Sequence, residues 1–591
     1  MRPNQRDLTD NTMTPMLCYT VAMPQPTNHC FEVTAEIASG VGEFINLVMP
    51  VWTPGSYMVR EYSRHIQRLI AEDNNGQRLT CHKVAKNHWR IANPENTHVT
   101  VRYRLYANDL TVRTNHLDNT HGYFNGAAIF FYIPGHLEDP IDVTILVPDP
   151  TWTIATALPQ VAEHCYRAKD FDTLVDSPFE IGLQTQFTFD VLGKPHELVV
   201  WGKGNLEVQP LIADMTQIIE TEATLFGGLP YDRYLFILHL TNGYGGLEHK
   251  NSTSLVFSRN GFKKRDRYEN FLTLVAHEFF HLWNVKRIRP KALEVFDYGA
   301  ENYTPSLWFS EGATSFYDGV IPLRAGIYDA KTYLKNFSKS ITRYLTTVGR
   351  TVQPLTESSF DAWIKLYRPD ANSSNSQMSY YLKGEMVTFL LDLSIRKRHQ
   401  NTRSMDQVMQ SLWENFGQSE IGFTPDDLKA TIETVAEFDL TDFFERYLDG
   451  LDDLPFQAIL TDFGLRLDSN LETGKLAPYL GVRSVMEHGR TIIKTVAAGS
   501  PAEQAGLDSG DELVAIDDLR TTVDLLNERL QASQPGDRLE VTFFHQDELL
   551  QTQVTLTGPQ PTQFTLVALP HATAQQSSLF EGWLGIPLHS L

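Results

Sequence analysis

From about Met16 to Asn205, apolar residues alternate with polar ones or gather in β-branched runs: FEVTAEI, INLVMPVW, HVTVRYRLYA, IDVTILV and HELVVWG, broken by Pro, Gly and Asn. A period of two predicts short strands, and their number predicts a β-sandwich-like domain. At Val208 the texture changes to VQPLIADMTQIIETEATLF, whose apolar positions follow helical spacing, and then to a strand, YLFILHL. A mixed α/β unit is expected to begin there. After Asn302 helical period dominates, in TYLKNFSKSITRYLTTV, MVTFLLDLSIRKR, MDQVMQSLWENF and DLTDFFERYLDGL, with Asp or Ser near several starts as caps. The helical lobe runs to about Leu451. Past a loop with DDLP and LETGK, strands return in YLGVRSV, RTIIKTV, DELVAI and LEVTFFHQ around one helix, TVDLLNERL. The tail from Gly558 is polar, with Phe580, Trp583 and Leu584 as the residues expected to dock.

The expected fold is therefore a multidomain α+β chain: a β-rich domain (16–205), a catalytic-size α/β and helical unit (206–455), a small β-rich module (473–558) and a tail (559–591). At 591 residues the chain exceeds one core, since domains run to about 150 residues. Apolar residues at 42% and charged residues at 21% are the usage of a soluble globular protein. A formal charge of -22 disfavours a nucleic-acid backbone as partner and mildly favours cationic ligands, and otherwise serves solubility. The four cysteines, Cys18, Cys30, Cys81 and Cys165, lack CxxC spacing, so neither a disulfide framework nor a cysteine zinc knot is expected. MRPNQRDLTDNTMTP lacks a secretory apolar core, and no run of about 18 apolar residues occurs, so a cytoplasmic location without membrane contact is expected.

The chemistry centres on VAHEFFHLW. If 270–284 is helical, Asn270, Thr273, His277, His281 and Asn284 form one polar stripe on an apolar helix. Imidazoles at i and i+4 can converge on one zinc at about 2.0–2.1 Å. Glu278, turned about 100° further, reaches a water on that metal without ligating it. That is the arrangement of a zinc hydrolase, in which the metal activates water and the glutamate carries its proton to the leaving amine. The alternative, two buried structural histidines, would need a hydrogen-bond partner for each ring nitrogen in an apolar helix. A catalytic zinc takes a third protein ligand, for which Glu294, Glu301 and Glu311 are the candidates. Glu301 lies in AENYTP, where Pro305 predicts a loop. Glu311 lies in the aromatic-rich helical segment LWFSEGATSFYDG and is favoured, because a rigid helix positions a ligand better.

HEFFHLWNVKRIRP and LWFSEG together resemble the glycyl aminopeptidase family, zinc peptidases of the gluzincin type, and the resemblance covers most of the chain. PVWTPGSYMVREYSRHI (50–66) and HGYFNGAAIFFYIPG (121–135) are similar to that family's N-terminal β-domain. The resemblance implies a thermolysin-like catalytic domain, one Zn2+ per chain held by His277, His281 and Glu311, and Glu278 as general base. NGYGGLEHKNS (242–252) is similar to the glycine-glutamate exopeptidase motif of related aminopeptidases. Gly245 and Gly246 permit close backbone approach, and Glu248 can pair with a free α-ammonium. An ordinary glycine turn with a surface glutamate has the same sequence, and the resemblance favours the functional reading. His249 stands where the wider group commonly has asparagine. SYYLKGEM (379–386) is similar to a stretch supplying a transition-state donor, with Tyr381 in the matching position and Tyr380 the alternative. Asp318 is a weaker candidate for supporting a metal-binding histidine.

KLAPYLGVRSV (475–485) and AAGSPAEQAGLDSGDELVAIDDL (497–519) resemble a PDZ domain, whose loop at Tyr479, Leu480, Gly481 and Val482 would receive a C-terminal carboxylate. Such a module also serves as a structural wing. The sequence thus leads to a zinc aminopeptidase acting on peptides with a free N-terminus, the resemblance implying glycine or alanine as the first residue. Its rivals are a zinc endopeptidase with Glu248 structural, and a peptide-binding scaffold with a structural metal.

Overall fold

The computed structural model describes residues 15–473 and 476–591. Residues 1–14 of the stretch MRPNQRDLTDNTMTP, and Gly474 and Lys475 at the end of LETGK, lie outside the described residues. The chain divides into two units: one runs through Lys286 and takes in Val295–Asn302, and the other comprises Arg287–Glu294 and Tyr303–Leu591.

In the first unit, alternation becomes sheet. Leu17–Ala22 buries every second side chain, and it lies inside a seven-stranded sheet ordered Gln160–Ala162, Cys165–Ala168, Ile141–Leu146, Leu17–Ala22, Cys30–Ile37, Val99–Tyr106, Ile66–Asp73. Four-stranded and three-stranded sheets accompany it, and one apolar cluster containing Tyr19, Phe31, Phe124, Phe130 and Trp89 forms the core. HELVVWG, expected in this domain, hydrogen-bonds elsewhere. Lys194–Trp201 pairs in parallel with Tyr234–Thr241, in a five-stranded sheet ordered Thr185–Val191, Lys194–Trp201, Tyr234–Thr241, Ser252–Ser258, Gly245–Glu248. Alternation specifies a strand but not its partner, and here the Val208–Phe226 helix provides the crossover a parallel pair needs. Among the described residues, Gly245–Glu248 is the edge of that sheet, paired only to Ser252–Ser258 through Gly246↔Leu255 and Glu248↔Thr253.

The Arg265–Phe280 helix rests on this sheet, with Phe279 against Tyr234 (5.0 Å between ring centroids) and Phe271 against Phe257 (4.9 Å). The expected helix to Asn284 is shorter: it stops at Phe280 with His281 as its C-cap, and residues 281–283 turn. The Asn284 carbonyl accepts from His281 Nδ1 at 2.6 Å, a local side-chain bond that takes the place of the last helical turn.

A second buried polar group ties the β-domain to the five-stranded sheet. Glu180 accepts from His121 Nδ1 (2.8 Å) and His239 Nε2 (2.9 Å), and His116 Nδ1 lies 2.9 Å from His121 Nε2. Burial alone would raise the Glu180 pKa, but the two histidines hold it below the usual carboxylate range. With His121 and His239 donating to Glu180 and His116 donating to His121, these contacts pair off as ordinary hydrogen bonds.

The second unit is mostly helical. Leu307–Ser310 and Gly312–Arg324 join at Glu311 and pack on the long helix Tyr380–His399. Contact is backbone to backbone: a Cβ on Gly312 would lie 2.4 Å from Gly384 Cα, so both positions need glycine. Two sequence expectations change here. The predicted loop before the PDZ-like module holds a helix, Phe456–Asp462, and a strand, Leu465–Ser469. The predicted tail holds a strand, Phe564–Ala568, and a helix, Ala574–Leu584. These two strands pair antiparallel, so the PDZ-like module is inserted between partners of a two-stranded sheet. Each strand is only five residues long, and Leu566 N finds its acceptor in Ser338 Oγ (3.1 Å), 228 residues away. Trp583 docks as expected, among Tyr333, Phe389, Phe463 and Phe580.

The module itself is a sheet ordered Val482–Glu487, Arg490–Val496, Glu512–Ile516, Arg538–His545, Glu548–Thr555, with the helix Val523–Gln531 and a core of Leu480, Ile493, Leu513, Leu526, Leu539 and Phe543. Asn375, from the helical lobe, donates to the Val496 carbonyl (2.8 Å) and accepts from Ala498 N (3.0 Å). Among the described residues, no helix is long and apolar enough to cross a membrane.

Candidate active site

On the Arg265–Phe280 helix the i, i+4 spacing does what the sequence requires: His277 Nε2 and His281 Nε2 lie 3.1 Å apart. One divalent ion at about 2.0–2.1 Å from an imidazole nitrogen can touch both. The Asn284 carbonyl fixes the proton of His281 on Nδ1, so Nε2, which faces His277, is the nitrogen whose lone pair can be given to a cation. This donor chemistry fits a zinc-type cation.

Glu278 is buried and aims at the edge strand. A Cβ on Gly246 would fall 2.1 Å from Glu278 Oε1, so the carboxyl occupies the space a side chain at 246 would fill. Glu248, two residues along the strand and hence on the same face, is also buried. Burial pushes the Glu278 pKa up to about 7, with Glu248 adding to the rise while His277, His281 and Arg113 oppose it. Among the described residues, Glu278 Oε2 and Glu248 Oε1 have no hydrogen-bond partner. Two buried carboxylates with open acceptor positions are costly unless a cation, a water or an ammonium arrives.

The β-domain supplies the walls. Gly55, in the Thr53–Ser56 turn, has φ +84, and a Cβ there would lie 2.4 Å from Glu248 Oε1 and 2.5 Å from Oε2. Both the left-handed backbone and the carboxylate require glycine. Arg113 Nη2 donates to the Gly246 carbonyl at 3.1 Å. Sequence reading missed Gly55 and Arg113. The fragment WTPGSYM signalled a turn at Gly55, but nothing around Arg113 marks it. His249 faces Asp176, with Nδ1 3.3 Å from Oδ1, and Lys286 Nζ lies 2.6 Å from the same oxygen. Burial would raise the Asp176 pKa, yet Lys286 and His249 hold it far below the usual range. His249 thus anchors the end of the edge strand, where Lys250 N also donates to Asp176 (2.7 Å).

The remaining predicted residues lie in the second unit, except Glu301, which sits in irregular backbone of the first. Glu311 is buried at the joint between its two helices. Tyr381, at the start of Tyr380–His399, senses that carboxylate: burial, then the Glu311 charge, then Tyr367 hold its hydroxyl well above the ordinary phenol range. Tyr381 OH is 3.0 Å from Tyr367 OH, and Tyr380, fully buried, stacks on Tyr381 and donates to Tyr367 (3.3 Å). Tyr367 was not singled out from sequence, since YRPD carries only a turn signal. Glu294 is engaged by Lys291 (2.6 Å) and Gly422 N (2.7 Å), and Asp318 acts on Glu385, whose carboxyl burial and then Asp318 hold well above its usual range. In the PDZ-like loop, Gly481 has φ +90, and the carbonyls of Leu480 and Gly481 accept from Ala502 N (3.0 Å) and Ala497 N (2.8 Å). Val482 begins the adjacent strand.

Residues 18–183 match the model of the peptidase M61 N-terminal domain, residues 270–387 that of the M61 glycyl aminopeptidase, and residues 478–556 that of a PDZ domain. A comparison with curated protein sequences finds no match. Among solved structures, an aminopeptidase N family protein from Idiomarina loihiensis is 32% identical, with a TM-score of 0.90 over 96% of this chain and 100% of the other. An M1 zinc metallopeptidase from Deinococcus radiodurans is 14% identical, with a TM-score of 0.47 over 74% of this chain and 94% of its own. A relative at this identity along nearly the whole length, together with both M61 domain models, makes this chain a member of the M61 glycyl aminopeptidase family and a metallopeptidase.

Proposed function

We propose that the protein is a zinc aminopeptidase that removes the first residue from peptides with a free N-terminus, with glycine or alanine preferred there. The observation that carries this reading is the edge strand, where the Glu278 carboxyl lies over Gly246 and Glu248 stands two residues further along on the same face. A carboxylate that captures an ammonium one residue from the general base measures off a single residue, which is what an exopeptidase must do.

His277, His281 and Glu311 would hold the ion, an imidazole and carboxylate donor set suited to zinc. When bound, it supplies Lewis acidity toward the scissile carbonyl and makes water acidic enough to attack at neutral pH. Glu278 takes a proton from the attacking water and delivers it to the leaving amine. Glu248 holds the substrate ammonium, and the Tyr381 hydroxyl donates to the oxygen on which negative charge develops. Burial of both carboxylates removes competing water, which strengthens each of these contacts. The catalytic unit so proposed spans 206–455, with the β-rich domain before it and the PDZ-like module, 473–558, after it. Leu480, Gly481 and Val482 of that module are proposed to receive the carboxyl end of a peptide.

The test is turnover of free and N-acetylated dipeptide amides, with and without added zinc after chelation. The expected result is zinc-restored cleavage of the free amides only. Undiminished cleavage of acetylated substrates would replace this reading with an endopeptidase, and metal-independent turnover would remove the zinc assignment.

A further inference from the structure

We infer that Tyr367 is a positioning residue for the reaction: its hydroxyl donates to Tyr381 and so keeps the Tyr381 proton turned toward the carbonyl oxygen of the substrate. The role rests on the reading above, in which Tyr381 donates to that oxygen, and adds what aims it.

Counting protons sets the direction. A phenol hydroxyl has one proton to give and lone pairs to receive with. Tyr380, fully buried, gives its proton to Tyr367 OH at 3.3 Å. Tyr367 receives there and keeps its own proton, and Tyr381 OH stands 3.0 Å away to accept it. The three hydroxyls then run head to tail, from Tyr380 through Tyr367 to Tyr381, and the last proton points away from Tyr367. With the second bond reversed, Tyr381 would spend its proton on Tyr367 and would have to break that bond before it could serve the substrate. Burial, then the Glu311 charge, keep the Tyr381 hydroxyl protonated, so it has a proton to direct.

Two separate elements hold the hydroxyls in line. Tyr380 and Tyr381 open the Tyr380–His399 helix, where Ser379 Oγ caps the first turn by accepting from Leu382 N (3.4 Å), and their rings stack at 4.8 Å. Tyr367 comes from the turn that follows Asp361–Trp363. Lys365 fixes that turn, with Nζ 2.6 Å from Glu357 and 3.1 Å from Asp361, and Arg368 N closes it on the Lys365 carbonyl (2.9 Å). A donor aimed by the fold before charge develops needs no reorganisation when it does. A chain of hydrogen bonds also polarises its members, which strengthens the donation by the last.

The experiment is a double-mutant cycle with kcat and KM measured on Ala-Ala amide for the zinc-loaded wild type, Tyr367→Phe, Tyr381→Phe and the double variant. Tyr367→Phe keeps the ring and removes one oxygen from a half-buried side chain, so the fold is retained, which circular dichroism checks. It is expected to lower kcat by about 3- to 10-fold at unchanged KM, the scale of one neutral hydrogen bond. In the Tyr381→Phe background the same change should leave kcat within about twofold, because the proton it directs is gone. A loss of equal size in both backgrounds would show that Tyr367 acts through something other than Tyr381 and overturn the inference. So would a single variant within about twofold of wild type, or one whose loss falls on KM instead of kcat. In each of those cases a crippled Tyr381→Phe leaves the donor role of Tyr381 standing. Wild-type turnover by Tyr381→Phe would remove that role from the proposed function and this inference with it.

Discussion

The methyl group that Gly246 lacks would lie 2.1 Å from Oε1 of Glu278. The edge strand and the Glu278 carboxyl therefore share one volume, and glycine is the residue that lets both be present. Gly246→Ala is expected to swing the Glu278 carboxyl away, with loss of kcat by about 10²-fold or more, the scale of general-base catalysis. Far-UV circular dichroism and bound zinc should stay at wild-type levels, because neither histidine is touched. Activity within a few-fold of wild type would mean that Glu278 works from another position.

Glu278→Gln keeps the shape and removes the proposed base. Hydrolysis should fall about 10²- to 10⁴-fold while one equivalent of zinc remains by atomic absorption. The neutral amide also relieves the burial that pushes the Glu278 pKa up to about 7, so the thermal midpoint should match or exceed that of the wild type. A lower midpoint together with lost metal would assign Glu278 to holding the site instead of to the chemistry.

The adjacent tyrosines can be separated by one oxygen atom each. Tyr381 is partly accessible and senses Glu311, whereas Tyr380 is fully buried beneath it. Tyr381→Phe is expected to raise the barrier by about 2.7–4 kcal/mol at unchanged KM, as loss of an oxyanion donor does. Tyr380→Phe should change kcat only a few-fold, since its hydroxyl donates to Tyr367. The reverse ranking in steady-state kinetics would transfer the donor role to Tyr380.

How much of this was legible depended on how far apart in sequence the cooperating residues lie. The histidine pair was readable because an i, i+4 spacing on a helix fixes a face locally, and the two rings do meet at 3.1 Å. The end of that helix was misread, since the bond from His281 to the Asn284 carbonyl is side-chain chemistry that hydrophobic period does not register. Lys194–Trp201 was recognised as a strand and assigned to the wrong sheet, because its partner arrives only after a crossover helix. Gly55 and Arg113 were invisible as site residues. Their targets, Glu248 and Gly246, lie far along the chain, and a glycine in a turn or an arginine in a loop has no local signature of what it faces. The final strand and helix were taken for a tail for the same reason, their partners being Leu465–Ser469 and Phe389.

Away from the site, His196 predicts an acid weakness of the five-stranded sheet. It is fully buried, with Nδ1 2.9 Å from the Lys194 carbonyl, Nε2 2.7 Å from Tyr231 OH, and its ring stacked on Phe189. The neutral ring satisfies both contacts by donating from Nδ1 and accepting at Nε2, and a proton on Nε2 would break the second. Burial lowers its pKa from 6.5 to about 4. Above pH 6.5 both folded and unfolded chains hold it neutral, and its full contribution is present. As pH falls toward 4, the unfolded chain takes up a proton that the folded one refuses, so stability drops by up to about 3 kcal/mol and then levels off. His196→Gln can make the same two hydrogen bonds and does not titrate. Urea unfolding of the variant should therefore depend less steeply on pH than that of the wild type between 6.5 and 4, the two curves separating by that amount. Parallel curves over the window would show that His196 is protonated in the fold and that its pocket pairs the charge.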